Sequence, residues 1–190
     1  MAHARPSMPL RAKGVALAAV AALALAGCGD DAADDLPNPA SPGESAPSSV
    51  DAETAAELAE ALVAAGRTAE AEVDGSRVVG LEADTGEWEA TVVDNDGVEH
   101  EMRISADGSE VTREPQEDDT DKDDREANLA ELGAAQLDVE QAVDALAVQA
   151  GDQRIVDLQL DDDGGTVVWE AELEDGSEVR IDAGTADVVN

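Results

Sequence analysis

The sequence lacks phenylalanine and tyrosine altogether, and it has two tryptophans, one cysteine and only 11 lysine and arginine residues. A single cysteine excludes a disulfide bond within the chain. Against the few basic residues stand 46 aspartates and glutamates, which give a net charge of −35. Such an anionic surface repels both the phosphate backbone of nucleic acids and the anionic headgroups of a membrane. The composition therefore excludes nucleic-acid binding, and any attachment to a membrane must be covalent.

The N-terminal region has the pattern of an export signal. Three basic residues within positions 1–14 precede a run of apolar and small residues at 15–26, shorter than the roughly 20 residues of a membrane span. The run ends in Leu25-Ala26-Gly27-Cys28, which resembles the lipobox of bacterial lipoproteins. The resemblance implies cleavage before Cys28 and a diacylglycerol thioether on it, and two or more acyl chains anchor a protein stably. The alternative is an uncleaved signal anchor in which Cys28 is buried and inert.

Two stretches recur 77 residues apart, 77–81 with 154–158 and 101–104 with 178–181. Trp88 and Trp169 are 81 residues apart, so one copy has four more residues before its tryptophan and the other has four more after it. An even number of residues added across a hairpin keeps every inward side chain inward, because side chains alternate along a strand. The pattern predicts a duplicated fold.

Each copy is predicted to be one helix followed by three strands and a short fourth, an α+β fold in which the helix packs on an antiparallel sheet. The first helix begins near Asp51 as N-cap and ends at Gly66. The second has Asp138 and Gln141 as a capping box and ends at Gly151. The inward strand residues are predicted to be Val79, Leu81, Ala83, Trp88, Ala90, Val92, Val98, His100, Met102 and Ile104, then Val156, Leu158, Leu160, Trp169, Ala171, Leu173, Val179 and Ile181. The sequence leaves open whether the two sheets join.

The predicted organisation has five parts. A lipoprotein signal peptide occupies 1–27, and a disordered tether with four prolines occupies 28–49. Two small domains at 50–114 and 127–190 are separated by an acidic linker at 115–126, whose charges repel one another and bury nothing.

The order of elements in each copy resembles the PepSY domain, over about 50–114 and 127–190. The resemblance rests on a helix, a glycine, a strand, a turn, an aromatic-led strand, an Asp-Gly turn, another strand and the closing element Ile-Asp-Ala-Gly-Thr-Ala-Asp-Val at 181–188. Ala186 stands where the pattern has glycine. The resemblance implies a tandem of small, cystatin-like modules of exported bacterial proteins, a family proposed to include peptidase inhibitors. It supplies no functional residues to carry over.

No catalytic group is predicted. His100 is the only histidine after the signal peptide, and without a cysteine or a second histidine beside it, it is interpreted as a half-exposed residue at a strand end. The carboxylates lie on outward faces and in turns, where nothing should raise their pKa, so a glycosidase or another enzyme is not expected.

No metal or cofactor site is predicted either. Residues 159–165 with Glu170 partly match a calcium loop, but Gln159 occupies its first position, and the segment is interpreted as a solvated hairpin turn. The acidic linker would collect calcium only weakly. Trp88 and Trp169 are predicted to belong to the core rather than to an interface.

The sequence supports two hypotheses of different kinds. The first is a lipid-anchored lipoprotein on the extracytoplasmic face of the cell membrane that binds another exported protein without catalysis, through sheet edges or acidic outer faces, and restrains or modulates an exported peptidase. The second is an acidic envelope spacer, or a weak buffer of divalent cations, without a specific protein partner.

Overall fold

The computed structural model describes residues 54–189. Cys28, the predicted signal peptide and the predicted tether lie outside them. The elements, in chain order, are α1 (Ala55–Glu72), β1 (Arg77–Asp84), β2 (Glu87–Val93), β3 (Glu99–Ser105), β4 (Val111–Glu117), α2 (Lys122–Ala134), α3 (Val139–Ala150), β5 (Ile155–Asp163), β6 (Thr166–Leu173) and β7 (Glu178–Asp182). They form an α+β fold around one antiparallel sheet in the order β4-β3-β2-β1-β5-β6-β7. Among the described residues, no helix is long and apolar enough to cross a membrane.

The first half of the sheet, β1–β4, joins the second half, β5–β7, through the antiparallel pairing of β1 with β5. Leu81 lies opposite Leu158, two residues that are also equivalent in the 77-residue spacing. Both leucines are buried in one continuous hydrophobic cluster that draws on both halves. The two sheets, whose joining the sequence left open, thus form one sheet with one core, because each half offers an unpaired strand that the other half completes.

The hairpins keep the same register around both tryptophans. Trp88 pairs with Ile104, and Trp169 pairs with Ile181. Measured from the tryptophan, the β5–β6 hairpin is two residues longer on each strand than the equivalent β1–β2 hairpin. The β2–β3 hairpin is in turn two residues longer on each strand than the equivalent β6–β7 hairpin. Both tryptophans are 1% exposed. The prediction that four extra residues leave the inward side chains inward is confirmed.

Two bulges occur at equivalent positions in β1 and β5. The pairing of β1 shifts between Val78 and Gly80, and that of β5 shifts between Ile155 and Asp157. Each bulge inserts one unpaired residue into the strand. On the N-terminal side of the bulge, the alternation of inward and outward side chains is therefore shifted by one residue from the predicted alternation. Val78 and Ile155 are therefore buried, and the predicted inward residues Val79 and Val156 are only half-buried.

The first helix does not end at Gly66. It runs on to Glu72, and its N-cap is Thr54, which forms a capping box with Glu57, whereas Asp51 lies outside the described residues. Gly66 is buried, and a Cβ there would lie 3.0 Å from the side chain of Val139 in α3 and 3.5 Å from that of Leu81. The glycine therefore allows a close approach of α1 to α3 over the sheet and does not stop the helix.

The predicted capping box of Asp138 and Gln141 begins α3, and Gly151 caps its end with a positive φ, as predicted. The segment 115–126, which was predicted to be a linker, contains the end of one strand and the beginning of a helix. Its first residues continue β4 to Glu117, and α2 begins at Lys122. Asp121 is the N-cap of α2 and accepts two backbone N–H groups. Acidic residues that repel one another in an extended chain are favourable at a helix N-terminus, where the helix dipole is positive.

Candidate functional site

One face of the sheet packs on α1 and α3, and the opposite face, here called the outer face, is acidic. Strand alternation places Glu82, Glu89, Asp157, Glu170 and Glu172 on the outer face, since their neighbours Leu81, Ala90, Leu158 and Ala171 are buried in the core. These carboxylates lie on the four central strands β2, β1, β5 and β6. The acidic surface therefore runs without interruption across the junction of the two halves.

Two arginines at equivalent strand positions each hold a group of outer-face carboxylates. Both guanidinium groups are about one-third exposed, so each individual ion pair contributes modestly to stability. The ion pairs are those of Arg103 with Asp84, Glu87 and Glu89, at 3.1, 3.6 and 3.3 Å, and those of Arg180 with Asp163 and Glu170, both at 3.3 Å. The arginines compensate charge on the two sides of the outer face and leave its centre anionic.

The centre of the outer face holds a carboxyl group with a shifted pKa. Asp157 of β5 lies opposite Glu82 of β1 at the junction. Burial raises the pKa of Asp157 to about 6, and the charges of Glu82, Glu172 and Glu170 act in the same direction. Burial also raises the pKa of Glu170, with the charge of Glu178 adding to it. The expectation that nothing would raise a carboxyl pKa is therefore wrong, because the sheet junction brings together acids from distant parts of the sequence.

His100 is buried rather than half-exposed. Its side chain on β3 has its Nε2 3.0 Å from Oδ2 of Asp94, and the residue is 9% exposed. Asp94 also accepts the backbone N–H groups of Asp96 and Val98, at 2.8 and 3.0 Å. Although burial acts against it, hydrogen bonding by His100 and these two N–H groups lowers the pKa of Asp94. The hydrogen bond between Asp94 and His100 thus closes the turn between β2 and β3. The sequence signal that could have revealed this contact was the presence of an aspartate at one end of the turn and the histidine at the other.

Both tryptophans belong to the core, as predicted. Trp88 donates its indole N–H to the carbonyl oxygen of Ala106 at 3.1 Å, and Trp169 donates to that of Leu137 at 3.4 Å. With their polar atom satisfied and their rings covered, these side chains fix the hairpins against the helices. They do not present a surface to a partner.

The segment that partly matches a calcium loop forms the hairpin between β5 and β6. Asp162 accepts the backbone N–H of Gly165 at 2.6 Å, and Asp163 pairs with Arg180. Glu170 turns to the same arginine. The carboxylates thus serve the turn and its neighbouring strand, which confirms the interpretation as a hairpin. Within residues 54–189 no group of acidic, histidine or cysteine side chains is arranged to hold a metal ion.

The two edges of the sheet are poorly suited to the addition of a partner strand. The pairing of β3 with β4 is irregular, and β4 contains Pro115, which lacks a backbone N–H. At the other edge, Ile181 of β7 pairs with Val188, and Val189 donates its N–H to the carbonyl of Arg180 at 3.0 Å. The outer face is therefore a better candidate for a binding surface than either edge.

Comparison with known proteins finds a family that the C-terminal part of the chain resembles. Residues 136–190, which include α3 and β5–β7, match the PepSY family, described as the peptidase propeptide and YPEB domain. No curated protein matches the sequence. The predicted resemblance to PepSY is thus confirmed for these residues.

Two solved structures are similar in part. One is a protein from Clostridium difficile 630 provisionally described as a lipoprotein, with 19% identity, coverage of 65% of this chain and 86% of that chain, and a TM-score of 0.43. The other is a protein from Bacteroides thetaiotaomicron provisionally described as a calcium-regulated periplasmic protein, with 12% identity, coverage of 70% and 91%, and a TM-score of 0.22. The resemblance rests on the sequence match: residues 136–190 match the PepSY family, and the seven-stranded α+β fold is consistent with it.

Proposed function

We propose that this protein is a lipid-anchored, extracytoplasmic and non-enzymatic binding module whose outer face docks on a cationic surface of another exported protein. The observation that carries the proposal is the continuous acidic face across the β1–β5 junction. The specific role that we propose is the restraint of an exported peptidase, in keeping with the peptidase propeptides for which the matched family is named.

The charges at the junction favour a cationic partner. Because its surroundings raise the pKa of Asp157 to about 6, the ionised carboxylate is under-compensated in the free protein. A lysine or arginine of a partner placed beside Asp157 and Glu82 relieves that repulsion, so the same charges that disfavour the free face favour the complex. Complementary charge also speeds the encounter of the two proteins and disfavours anionic partners.

The proposal includes a duplication. We infer that residues 50–114 form a second PepSY-like unit, joined edge to edge with the unit at 127–190. Support comes from the equivalent bulges, from the shared pairing of tryptophan with isoleucine and from Leu81 facing its equivalent, Leu158. Joining two units in this way doubles the width of the acidic face without an additional edge.

The proposed location rests on the sequence around Cys28. Metabolic labelling with palmitate should mark the wild-type protein and fail to mark Cys28→Ala, which should also leave the membrane fraction. Label that persists in the Cys28→Ala variant would contradict lipidation at this residue.

The proposed binding is tested with two charge-matched variants. Glu82→Gln with Glu172→Gln removes two charges from the outer face, and Glu60→Gln with Asp144→Asn removes two from exposed positions on the helices. The immobilised full chain is presented to an extract of exported proteins, and the affinity of a stoichiometric partner is then measured. We expect about a tenfold loss or more for the outer-face variant and little change for the helix variant.

The spacer hypothesis makes the opposite prediction. A protein that acts only through its net charge of −35 should bind cations weakly, lose that binding in salt, and respond equally to both variants. Equal losses would therefore overturn the outer face as a docking site.

A further inference from the structure

The helix α2 lies across one end of the outer face. Arg77, which pairs with Val93 on the outer side of the sheet, donates to carbonyl groups at the C-terminal end of α2. Asn128 of α2 donates to the carbonyl of Gly97 at 3.1 Å and to the carboxylate of Glu99 at 3.0 Å. The helix also contacts β5. It therefore spans the sheet from β3 to β5 on the side opposite α1 and α3.

The attachment of α2 is mainly polar. None of its 13 residues is fully buried, and Leu129 is 42% exposed, whereas Glu131 and Leu132 are half-buried and Leu132 packs against the hydrophobic cluster. The guanidinium of Arg77 donates to the carbonyl oxygens of Leu132, Ala135 and Leu137, at 2.9, 3.2 and 3.3 Å. A cation at this position satisfies free carbonyl groups and complements the negative end of the helix dipole. A helix held in this way separates from the sheet more readily than α1 or α3, whose apolar faces are buried.

The end of the outer face beneath α2 is apolar. Val93 and Val168 alternate with the inward residues Val92 and Trp169, so they point to the outer side, yet they are only 2% and 1% exposed. Neither belongs to the hydrophobic cluster under α1 and α3. We infer that α2 covers them, and that its departure would add an apolar patch to the edge of the acidic face.

A group of like charges opposes this attachment. The charges of Asp161 and Asp162 on β5 and of Glu99 on β3 act on Glu131 of α2, which contacts β5 and whose Asn128 donates to Glu99 at 3.0 Å. Arg77 of β1 is engaged with the helix carbonyls. Burial raises the pKa of Glu131 to about 7, and the charges of Asp161, Asp162 and Glu99 act in the same direction. A carboxyl group whose pKa is raised by docking weakens the docked state once it ionises. The penalty is absent well below the ordinary pKa of 4.5, grows as the pH rises, and is complete above about 7.

We propose that α2 is a releasable strap: in acid it lies on the outer face, and above neutral pH the repulsion of Glu131 by three sheet carboxylates frees it. Release uncovers Val93 and Val168 and enlarges the docking surface. This consequence rests on the proposed function, whereas the release itself does not.

Hydrogen exchange of the full chain tests the strap. The protection of amides 122–134, normalised to intrinsic exchange rates, is compared between about pH 5 and about pH 8, with amides of α3 as the internal reference. Between these two pH values, the shift from 4.5 to about 7 sets a ceiling of about 70-fold on the loss of protection in α2, and solvent screening reduces this to about 10-fold. The protection of α3 should change much less.

Two variants of α2 provide the matched comparison. Glu131→Gln keeps the size of the side chain and removes its charge, so α2 should stay protected across the pH range. Glu126→Gln removes one charge from an exposed position of the same helix and should retain the wild-type pH dependence. A wild-type α2 whose protection does not change with pH, or a Glu131→Gln variant that keeps the full dependence, would overturn the proposal.

A change in the sheet gives an independent check. Asp161→Asn with Asp162→Asn leaves the sequence of α2 intact and should reduce the pH dependence. Because the binding test of the outer face alters Glu82 and Glu172, at other positions, the strap and the proposed function can fail separately.

Discussion

Replacement of Asp157 by asparagine should stabilise the fold at neutral and alkaline pH. Asp157 lies opposite Glu82 at the β1–β5 junction, and burial together with neighbouring carboxylates raises its pKa from 3.8 to about 6. Asparagine has nearly the same shape, and its carbonyl oxygen can still accept the hydrogen bond that Gln159 donates to Asp157 at 3.2 Å. The substitution therefore removes the charge and keeps the contact.

The size and sign of the effect follow from the two pKa values. The folded protein holds the proton of Asp157 more tightly than the unfolded chain does, so the ionised group lowers stability. The penalty is absent well below pH 3.8 and complete above about pH 6. A shift of about two pKa units corresponds to about 3 kcal/mol as an upper limit, and screening at a partly exposed site reduces it to about 1–2 kcal/mol.

Urea unfolding followed by tryptophan fluorescence measures this difference. Because the sequence pI is about 4.1, the comparison is made at about pH 5 and about pH 8, where the protein is charged and soluble. Linkage predicts that Asp157→Asn gains about half as much stability at the lower pH as at the higher one. Asp144→Asn, at an exposed position of α3, is the control and should change little. A variant no more stable than the wild type at pH 8, or one with equal gains at both pH values, would refute the reasoning.

Three further outcomes are expected. Gly108→Ala should lower the free energy of unfolding, measured in urea, by about 3 kcal/mol, because φ is +75° and a Cβ would lie 2.4 Å from a backbone oxygen of α1. Gly86→Ala, where φ is +84° but a Cβ would lie in open space, should lower it by only about 1 kcal/mol. Equal losses in the two variants would contradict this reasoning. Acrylamide should quench Trp88 and Trp169 weakly in the folded protein and strongly in urea, and strong quenching before unfolding would place a tryptophan outside the core. The melting temperature should rise between about 10 mM and about 1 M NaCl, since salt screens the repulsion within a chain of net charge −35; an unchanged value would contradict it.

The hairpins could be predicted because alternation and spacing are properties of the local sequence. The bulges could not. At Val78-Val79 and at Ile155-Val156, two neighbouring β-branched residues are equally suited to the core. Alternation does not distinguish which of the two points inward when an unpaired residue follows.

Gly66 shows a second limit of local sequence. A glycine after an apolar helical stripe is typical of a helix end, and the sequence supported that interpretation. Its observed role depends on Val139, which belongs to another helix and approaches Gly66 only in the folded protein. Similarly, α2 begins inside the predicted linker, and the cation that binds the carbonyl groups at its C-terminal end, Arg77, comes from β1.

The shifted carboxyl groups of the outer face were missed for a related reason. Strand alternation predicted correctly that strand carboxylates such as Glu82 and Glu89 point away from the core. Whether such residues are isolated or crowded depends on which strands are neighbours. The sequence left the joining of the two sheets open, and with it the meeting of Asp157 with Glu82.

The pairing of β1 with β5 also determines how the chain can be divided. A fragment that ends before α2 would expose the backbone donors and acceptors of β1, and a fragment that starts at α2 would expose those of β5. Because β1 and β5 are equivalent strands that pair through Leu81 and Leu158, the exposed edge strand of each fragment resembles the strand that the fragment has lost. Excised fragments should therefore form dimers with themselves or reassemble with each other, and neither should remain a monomer at high concentration.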